Sequence, residues 1–178
     1  GVGGHCIPKD TWLLAYGSRN RYSPEFLIKA REINDSMPSY ISSKIFEGMK
    51  KFEINPTNCK VSILGLSYLE ESDDVRNSPT VDLVNELVDR GLKVSVHDPF
   101  VQNHPSIHHN SDLEETLSGA DILVIMVAHH LYESLNPETL EIQMRGKLLI
   151  DARNVLETNQ FVDQGFAIYS IGRGSSWD

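Results

Sequence analysis

From residue 58 onward, short apolar runs alternate with amphipathic segments, and this alternation limits the possible folds more than any other feature. The run KVSILGLSY predicts a strand, PTVDLVNELVDRG predicts a helix with Pro79 at its first position and Gly91 just past its end, and LKVSVHDP predicts a second strand. Residues 122–127, KLLIDARNV and FAIYSIG predict three more strands, the first of them continuously apolar. Strands separated by helices form parallel sheets, so the sequence predicts an α/β domain with a doubly wound parallel sheet over residues 58–178.

Two amphipathic segments precede this domain and end at the turn NPTN, residues 55–58. In the first, Ser23 is the predicted cap and Pro24 the first helical position. The two apolar stripes consist of Phe26, Leu27, Ala30 and Ile33, and of Met37, Ile41, Ile45, Met49 and Phe52. Neither helix can bury its stripe alone. We therefore predict a helical arm that forms a homodimer through residues 23–54 or packs on an upstream domain; the alternative is that it folds back on the domain that follows.

Charge and composition exclude several kinds of partner. The net charge is −9 and the basic residues are scattered, so the chain has no basic stripe for nucleic acid. Its apolar runs are too short to cross a bilayer, so we expect no membrane span. Cys6 and Cys59 are far apart, which favours a reduced, cytoplasmic protein. The histidines lack zinc-site spacing, so we expect no metal and predict surface or ligand-loop positions for His104, His108, His109, His129 and His130.

Candidate binding residues follow the ends of the predicted strands, where doubly wound sheets bind ligands. The loop GLSYLEESDDVRNSP lacks the glycine fingerprint of dinucleotide sites, but Arg76 lies near a helix start and suits a phosphate group. The alternative is that Arg76 belongs to a solvated charged turn with Asp73 and Asp74. Arg153 follows the strand LLID, where its guanidinium suits a diphosphate or a uracil carbonyl, unless it pairs with Asp151 or another acid.

The first ten residues, GVGGHCIPKD, contain a candidate nucleophile in a glycine-rich segment predicted to be a loop. The glycines allow close approach of the backbone to a ligand, and Lys9 together with exposed amides favours the thiolate form of Cys6. Asp10 is placed to orient a water or to act as a base. The alternative is an inert cysteine.

Taken together, GVGGHCIPKD, EINDSMP, GLSYLEESDDVRNSP, VHDP and DARNVL resemble, in order and spacing, the motifs of the UDP-glucose/GDP-mannose dehydrogenase family. The resemblance spans essentially the whole chain. His5 is similar to the branch that oxidises UDP-N-acetylhexosamines such as UDP-N-acetylmannosamine. The resemblance implies an active-site cysteine loop and central dimerisation helices in residues 1–57, and a Rossmann-like UDP-sugar-binding domain in residues 58–178. Together they correspond to the C-terminal part of an enzyme whose NAD-binding domain precedes them.

The resemblance also implies a reaction and roles for individual residues. Members of the family oxidise the sugar C6 alcohol to a carboxylate in two steps with two NAD molecules, which are bound mainly by the N-terminal domain. Cys6 corresponds to the nucleophile that carries a thioester, Asp10 to a residue that assists water or proton transfer, and Lys9 to a neighbour that conditions the thiol. The implied substrate-binding residues are Gly1, Val2, Gly3, Tyr68, Leu69 and Arg153, and Arg76 is implied to contact NAD.

The sequence departs from the family pattern at three positions. Leu69 stands where a lysine commonly faces the substrate, Asn77 where an acid is usual, and Thr11 where this branch favours proline. Two alternatives to the hexosamine enzyme stay open. One is a UDP-glucose 6-dehydrogenase, and the other, to which the absence of the lysine points, is a non-catalytic dimerising module that binds a UDP-sugar. We expect the chain to be inactive alone, because the NAD-binding domain is missing from it.

Overall fold

The computed structural model describes residues 1–177, and a six-stranded sheet forms its centre. The strands lie in the order β2-β1-β3-β4-β5-β6; all neighbours are parallel except β6, which is antiparallel to β5. In chain order they are β1 (Lys60–Leu64), β2 (Lys93–His97), β3 (Ile122–Ile125), β4 (Leu148–Asp151), β5 (Ala167–Ser170) and β6 (Gly174–Ser175). The predicted α/β fold with a doubly wound sheet is confirmed, and the strand order reverses between β1 and β3.

Helices cover both faces of the sheet. Within the described residues they are α1 (Cys6–Ser18), α2 (Glu25–Asp35), α3 (Met37–Lys51), α4 (Pro79–Asp89), α5 (Leu113–Leu117), α6 (Pro137–Gln143) and α7 (Thr158–Asp163). The helix α4 has its predicted ends: the Ser78 hydroxyl accepts a hydrogen bond from the Thr80 N–H at 3.2 Å, and Gly91 has a φ of +83°. None of the helices in this part of the chain is long and apolar enough to span a bilayer.

Alternate strand residues enter two separate apolar clusters. Val124 packs with α3 and α4 on one face, whereas Leu123 packs with α5, α6 and α7 on the other. Every strand from β1 to β5 therefore ends at the same edge of the sheet, and the loops that follow β1, β3 and β4 meet there.

The N-terminal segment differs from its prediction. Residues 6–10 were predicted to lie in a loop, but α1 begins at Cys6, because Pro8 is tolerated in the first turn and good helix formers follow it. The predicted cap at Ser23 is also wrong. The helix α2 begins at Glu25, and Pro24 occupies the cap position without a side-chain hydrogen bond.

The two stripes of the helical arm have different surroundings. Ile41, Ile45 and Met49 of α3 are buried in the main core, so this helix folds back on the sheet domain, as the alternative prediction had it. On α2, Phe26 is 82% exposed and Ile33 is 56% exposed. Homodimerisation through residues 23–54 stays a prediction.

Candidate functional site

A cleft of about 700 Å³ lies at the carboxyl edge of the sheet. Four parts of the chain form it: the N-terminal residues, the junction of α2 and α3, the loop between β1 and α4 (residues 65–78), and the first residues after β4. The cleft contains most of the predicted site residues, namely Gly1, Val2, Gly3, Cys6, Tyr68, Leu69, Arg76 and Arg153, together with Gly4, His5, Ile7, Asn34, Met37, Glu70 and Ala152. The structure thus brings together segments that are far apart in the sequence.

The N-terminal segment is tied to the cleft by backbone hydrogen bonds. The Val2 N–H donates to Asn34 Oδ1 at 2.7 Å. The Gly4 N–H donates to the Arg76 carbonyl at 2.8 Å, and Asn77 Nδ2 donates to the Gly4 carbonyl at 2.9 Å. Asn77 has a φ of +49°, a conformation that asparagine tolerates well. This contact gives Asn77, which departs from the family pattern, a local structural role.

Two glycines in this segment are required by the chain itself. A Cβ on Gly3 would lie 2.5 Å from the Asn77 carbonyl oxygen and 2.6 Å from the Tyr68 Cβ. Gly4 has a φ of +84°, and a Cβ there would meet the Tyr68 ring at 2.9 Å. The sequence predicted that the glycines let the backbone approach a ligand, whereas Gly3 and Gly4 instead allow it to approach the loop between β1 and α4.

Cys6 is the first residue of α1 and is exposed, with a free thiol. The N–H groups of the first helical turn are not paired within the helix, and they favour an anion placed near them. Lys9 and Asp10 follow at i+3 and i+4 and so share a helix face with Cys6. Their side chains are 52% and 58% exposed, lie 3.4 Å apart as an ion pair, and are outside the set that lines the cleft.

Arg76 forms a two-pronged ion pair with Asp74. Its Nε lies 2.9 Å and 3.0 Å from the two carboxylate oxygens, and its side chain is 61% exposed. The hydrogen bond from Arg76 lowers the pKa of Asp74, and the same bond raises the pKa of Arg76. The structure thus agrees with the charged-turn alternative for this pair.

The Arg153 guanidinium pairs with the carboxylate of Glu70. The Arg153 backbone N–H donates to Asp151 Oδ1 at 3.0 Å, so Asp151 holds the main chain and not the guanidinium. Burial lowers the pKa of Arg153, and the carboxylate compensates a cation that is partly removed from water. Glu70 could not be identified from the sequence, because nothing in a loop with four acids indicates which of them faces Arg153.

Beneath the cleft, the fully buried Asp98 fixes the start of the loop between β1 and α4. Its Oδ2 accepts from the N–H groups of Leu66 and Ser67 at 2.7 Å and 2.9 Å, and its Oδ1 accepts from those of Phe100 and Val101 at 2.9 Å and 3.0 Å. Burial alone would raise the pKa of Asp98, but hydrogen bonds from His129 and from these backbone groups outweigh it and hold the pKa well below its usual range.

His129 connects Asp98 to the middle of the same loop. Its Nδ1 accepts the Glu71 N–H at 3.0 Å, so in the neutral ring Nε2 carries the proton and donates to Asp98 Oδ2 at 3.2 Å. The Glu71 carboxylate in turn accepts the His130 N–H at 2.9 Å. His129 is completely buried, so the surface position that was one alternative for it is wrong.

The residues at the switch in strand order do not fit an NAD molecule. The space beyond β1 and β3 is occupied by the buried side chains of Asp98, His129 and Tyr132. A Cβ on Gly65 would lie 2.4 Å from the Val127 Cβ, so the backbone after β1 already packs tightly against the turn after β3. Within residues 1–177, Arg76 is the one predicted NAD contact, and a single exposed arginine does not make a dinucleotide site.

Cys59 is not among the residues that line the cleft. The described residues contain no group of three or more His, Cys, Asp and Glu side chains that could hold a metal ion. Cys59 is buried beside β1, and burial raises the pKa of its thiol to about 11, as expected of a structural cysteine.

Comparison with known proteins gives consistent matches. Residues 62–158 match the UDP-binding domain of the UDP-glucose/GDP-mannose dehydrogenase family. The chain is 37% identical over 175 residues to UDP-N-acetyl-D-mannosamine dehydrogenase of Pyrococcus horikoshii, and 34% identical over 179 residues to the protein of that name from Methanocaldococcus jannaschii. A crystal structure of NDP-N-acetyl-D-galactosaminuronic acid dehydrogenase from Methanosarcina mazei is similar with a TM-score of 0.91 and 32% identity.

These matches cover almost all of this chain but a minor part of each relative. They span 98%, 99% and 98% of the chain and 39%, 40% and 39% of the respective relatives. The prediction that the chain corresponds to the C-terminal part of such an enzyme is confirmed. The chain belongs to the UDP-glucose/GDP-mannose dehydrogenase family, in which it represents the part that contains the UDP-binding domain.

Proposed function

We propose that this chain binds the substrate and supplies the nucleophile of an NAD-dependent UDP-N-acetylmannosamine 6-dehydrogenase. The observation that carries the proposal is that Cys6 and Arg153, which lie near opposite ends of the sequence, line the same cleft. The names of the two curated relatives support the choice of sugar. Arg153 would bind the diphosphate or the uracil, while Tyr68, Leu69 and the backbone of residues 1–3 would enclose the nucleotide sugar.

The proposed chemistry of this chain centres on Cys6. Its thiolate adds to the aldehyde carbon at C6, and the new carbon–sulfur bond becomes a thioester once the second hydride has left. Water then adds to the thioester carbon and gives one proton to Asp10. The carbon–sulfur bond breaks, the carboxylate is released, and the second proton of the water returns Cys6 to the thiol. Lys9 stabilises the negative charge that forms beside it. NAD would supply the oxidising power for both steps, and we assign its binding to a part of the enzyme outside this chain, with Arg76 at its margin.

The proposal extends to the state and place of the protein. Homodimerisation through residues 23–54 would cover Phe26 and Ile33, which are exposed on α2. Both cysteines are free, which fits a reducing cytoplasm.

Calorimetric titration with UDP tests the binding role. The unmodified chain should bind UDP, and Arg153→Ala should weaken binding about tenfold or more because the bidentate cation is lost. Arg173→Ala is the matched control, since this exposed arginine lies outside the cleft and its loss should leave UDP affinity unchanged. Failure of the parent chain to bind UDP, or equal losses in the two variants, would contradict the proposal.

A second candidate function is a non-catalytic module that binds a UDP-sugar. Leu69, 47% exposed in the cleft where the family commonly has a lysine, favours it. The two functions differ in what Cys6 does. If the chain is part of the dehydrogenase, the protein supplemented with its NAD-binding domain should form NADH from UDP-N-acetylmannosamine, and Cys6→Ser should abolish this activity. The chain alone should form no NADH in either case. Binding of UDP without any cysteine-dependent turnover in the supplemented protein would favour the module.

A further inference from the structure

We propose that Glu70 is an internal competitor for the diphosphate of the nucleotide: it holds Arg153 when the cleft is empty and turns away when a diphosphate binds. Glu70 thereby sets the affinity of the cleft for phosphorylated ligands. The inference rests on the proposed function, since it takes the cleft as the UDP site.

Both arginines that line the cleft are already paired with carboxylates. Arg76 is paired with Asp74, and Arg153 is paired with Glu70. Leu69 provides no further cation where the family commonly has one. A diphosphate that binds to one of these arginines therefore competes with a carboxylate.

The two carboxylates are held very differently. Asp74 is fixed through its backbone and side chain: its carbonyl accepts the Tyr68 N–H at 2.9 Å, its N–H donates to Ser72 Oγ at 3.1 Å, and its carboxylate accepts the Arg76 N–H at 3.0 Å. Among the residues that the structure describes, the Glu70 carboxylate has one polar partner, which is Arg153. Asp74 cannot leave Arg76 without disrupting the loop, whereas Glu70 can leave Arg153 by side-chain rotation.

Solvent access makes this rotation possible. The Glu70 side chain is 30% exposed and that of Arg153 is 35% exposed. A carboxylate at such a position returns to water when it turns outward, and partly exposed ion pairs are weak. A diphosphate carries more negative charge than a carboxylate and can form two charge-assisted hydrogen bonds to a guanidinium. Of the two arginines that line the cleft, Arg153 is thus the one whose carboxylate partner can turn away from it.

Titrations of the unmodified chain and of Glu70→Gln with UDP and with uridine test the proposal. Glu70→Gln should lower the dissociation constant of UDP about fivefold, because Arg153 no longer has a charged competitor. The affinity for uridine, which has no phosphate, should not change. Asp73→Asn is the matched control: it removes a negative charge from an exposed position in the same loop that makes no contact with Arg153, and it should change UDP affinity less than twofold.

Several outcomes would overturn the proposal. Unchanged or weaker UDP binding by Glu70→Gln would do so, as would an equal gain in Asp73→Asn, which would indicate a general charge effect. The gain should also disappear when Arg153→Ala is added to Glu70→Gln. If UDP binds to none of the proteins, the proposed function fails, and inorganic pyrophosphate then tests Glu70 separately. It should bind Glu70→Gln more tightly than the parent chain, and equal or absent binding in both would contradict the competitor role.

Discussion

Around the loop between β1 and α4, two groups of polar side chains are held in opposite ways. Beneath it, Asp98 and His129 are completely buried, and both Asp98 oxygens and both His129 nitrogens have hydrogen-bond partners. On the side of the cleft, Arg153 and Glu70 are partly exposed and rely on one another. We infer that one group of side chains fixes the position of the loop and that the other sets the charge of the cleft. We expect substitutions below the loop to change stability and substitutions at the cleft to change affinity.

Asp98→Asn should produce the largest effect. An asparagine offers one oxygen where Asp98 uses two, and its amide would face two backbone N–H groups, so we expect a loss of about 3–5 kcal/mol in the free energy of unfolding. Chemical denaturation measures this loss. Asp112→Asn is the matched control, because Asp112 is an exposed cap of α5 and asparagine caps a helix equally well. Similar losses in the two variants would remove the distinction between the buried and exposed groups.

Gly65→Ala should have the next largest effect. Gly65 has a φ of +96°, and a Cβ there would lie 2.4 Å from the Val127 Cβ, so backbone strain and a steric clash add to about 2–4 kcal/mol. Gly91→Ala separates the two causes. Gly91 has a φ of +83° with no atom within 4 Å of the added Cβ, and we expect a loss of about 1 kcal/mol from thermal or chemical unfolding. Equal losses would show that the turn after β1 is not tightly packed.

Acid should lower the free energy of unfolding, and part of this loss should depend on Asp98, which lies beneath the loop between β1 and α4. Since folding lowers the pKa of Asp98, its contribution to stability is complete above the unfolded pKa of about 3.9 and is lost as the pH falls toward the folded value. Below pH 4, the free energy of unfolding of the parent chain should fall more steeply than that of Asp98→Asn, by up to about 1.4 kcal/mol per pH unit. Parallel pH profiles would contradict the assignment of this dependence to Asp98.

Glu70→Gln should have the smallest effect on stability. A partly exposed ion pair contributes less than about 1 kcal/mol, so we expect a change of less than about 4 °C in the melting temperature, measured by calorimetry at neutral pH. A larger fall in the melting temperature would show that the ion pair between Glu70 and Arg153 stabilises the fold. The distinction between stability set by Asp98 and His129 and affinity set at the cleft would then be wrong.

Periodicity was sufficient to predict most of the fold. The strands β1 to β5 and the helix α4 have strong local signals, because buried strands are apolar throughout and Ser78, Pro79 and Gly91 mark the helix ends. The helix α1 was missed because its apolar residues do not form one clear stripe: Trp12, Leu13 and Leu14 are consecutive. The two-residue strand β6 is too short to have a local signal.

The prediction of the site rested on motif order and not on periodicity, and it was partly successful. Motif order identified the residues that surround the cleft, and eight of the ten line it in the structure. Motifs could not show that Glu70 pairs with Arg153 or that His129 packs on Asp98. The residues of the first pair are 83 positions apart in the sequence, and those of the second are 31 apart. Such pairings are set by the sheet order, which the sequence does not display. The motif HDP did contain Asp98, but only the structure gives its four backbone partners.

A crystal structure of the chain with UDP bound is the most direct test of the contrast between the fixed contacts of Asp98 and His129 and the ion pair of Glu70 with Arg153, which a ligand can open. The account predicts that Arg153 contacts the diphosphate and that Glu70 faces solvent. In the same structure, the bonds from Leu66 and Ser67 to Asp98 and from Glu71 to His129 should keep their present lengths of 2.7 Å, 2.9 Å and 3.0 Å to within about the error of a typical structure. A complex in which Glu70 still pairs with Arg153, or in which the loop has left Asp98, would contradict it.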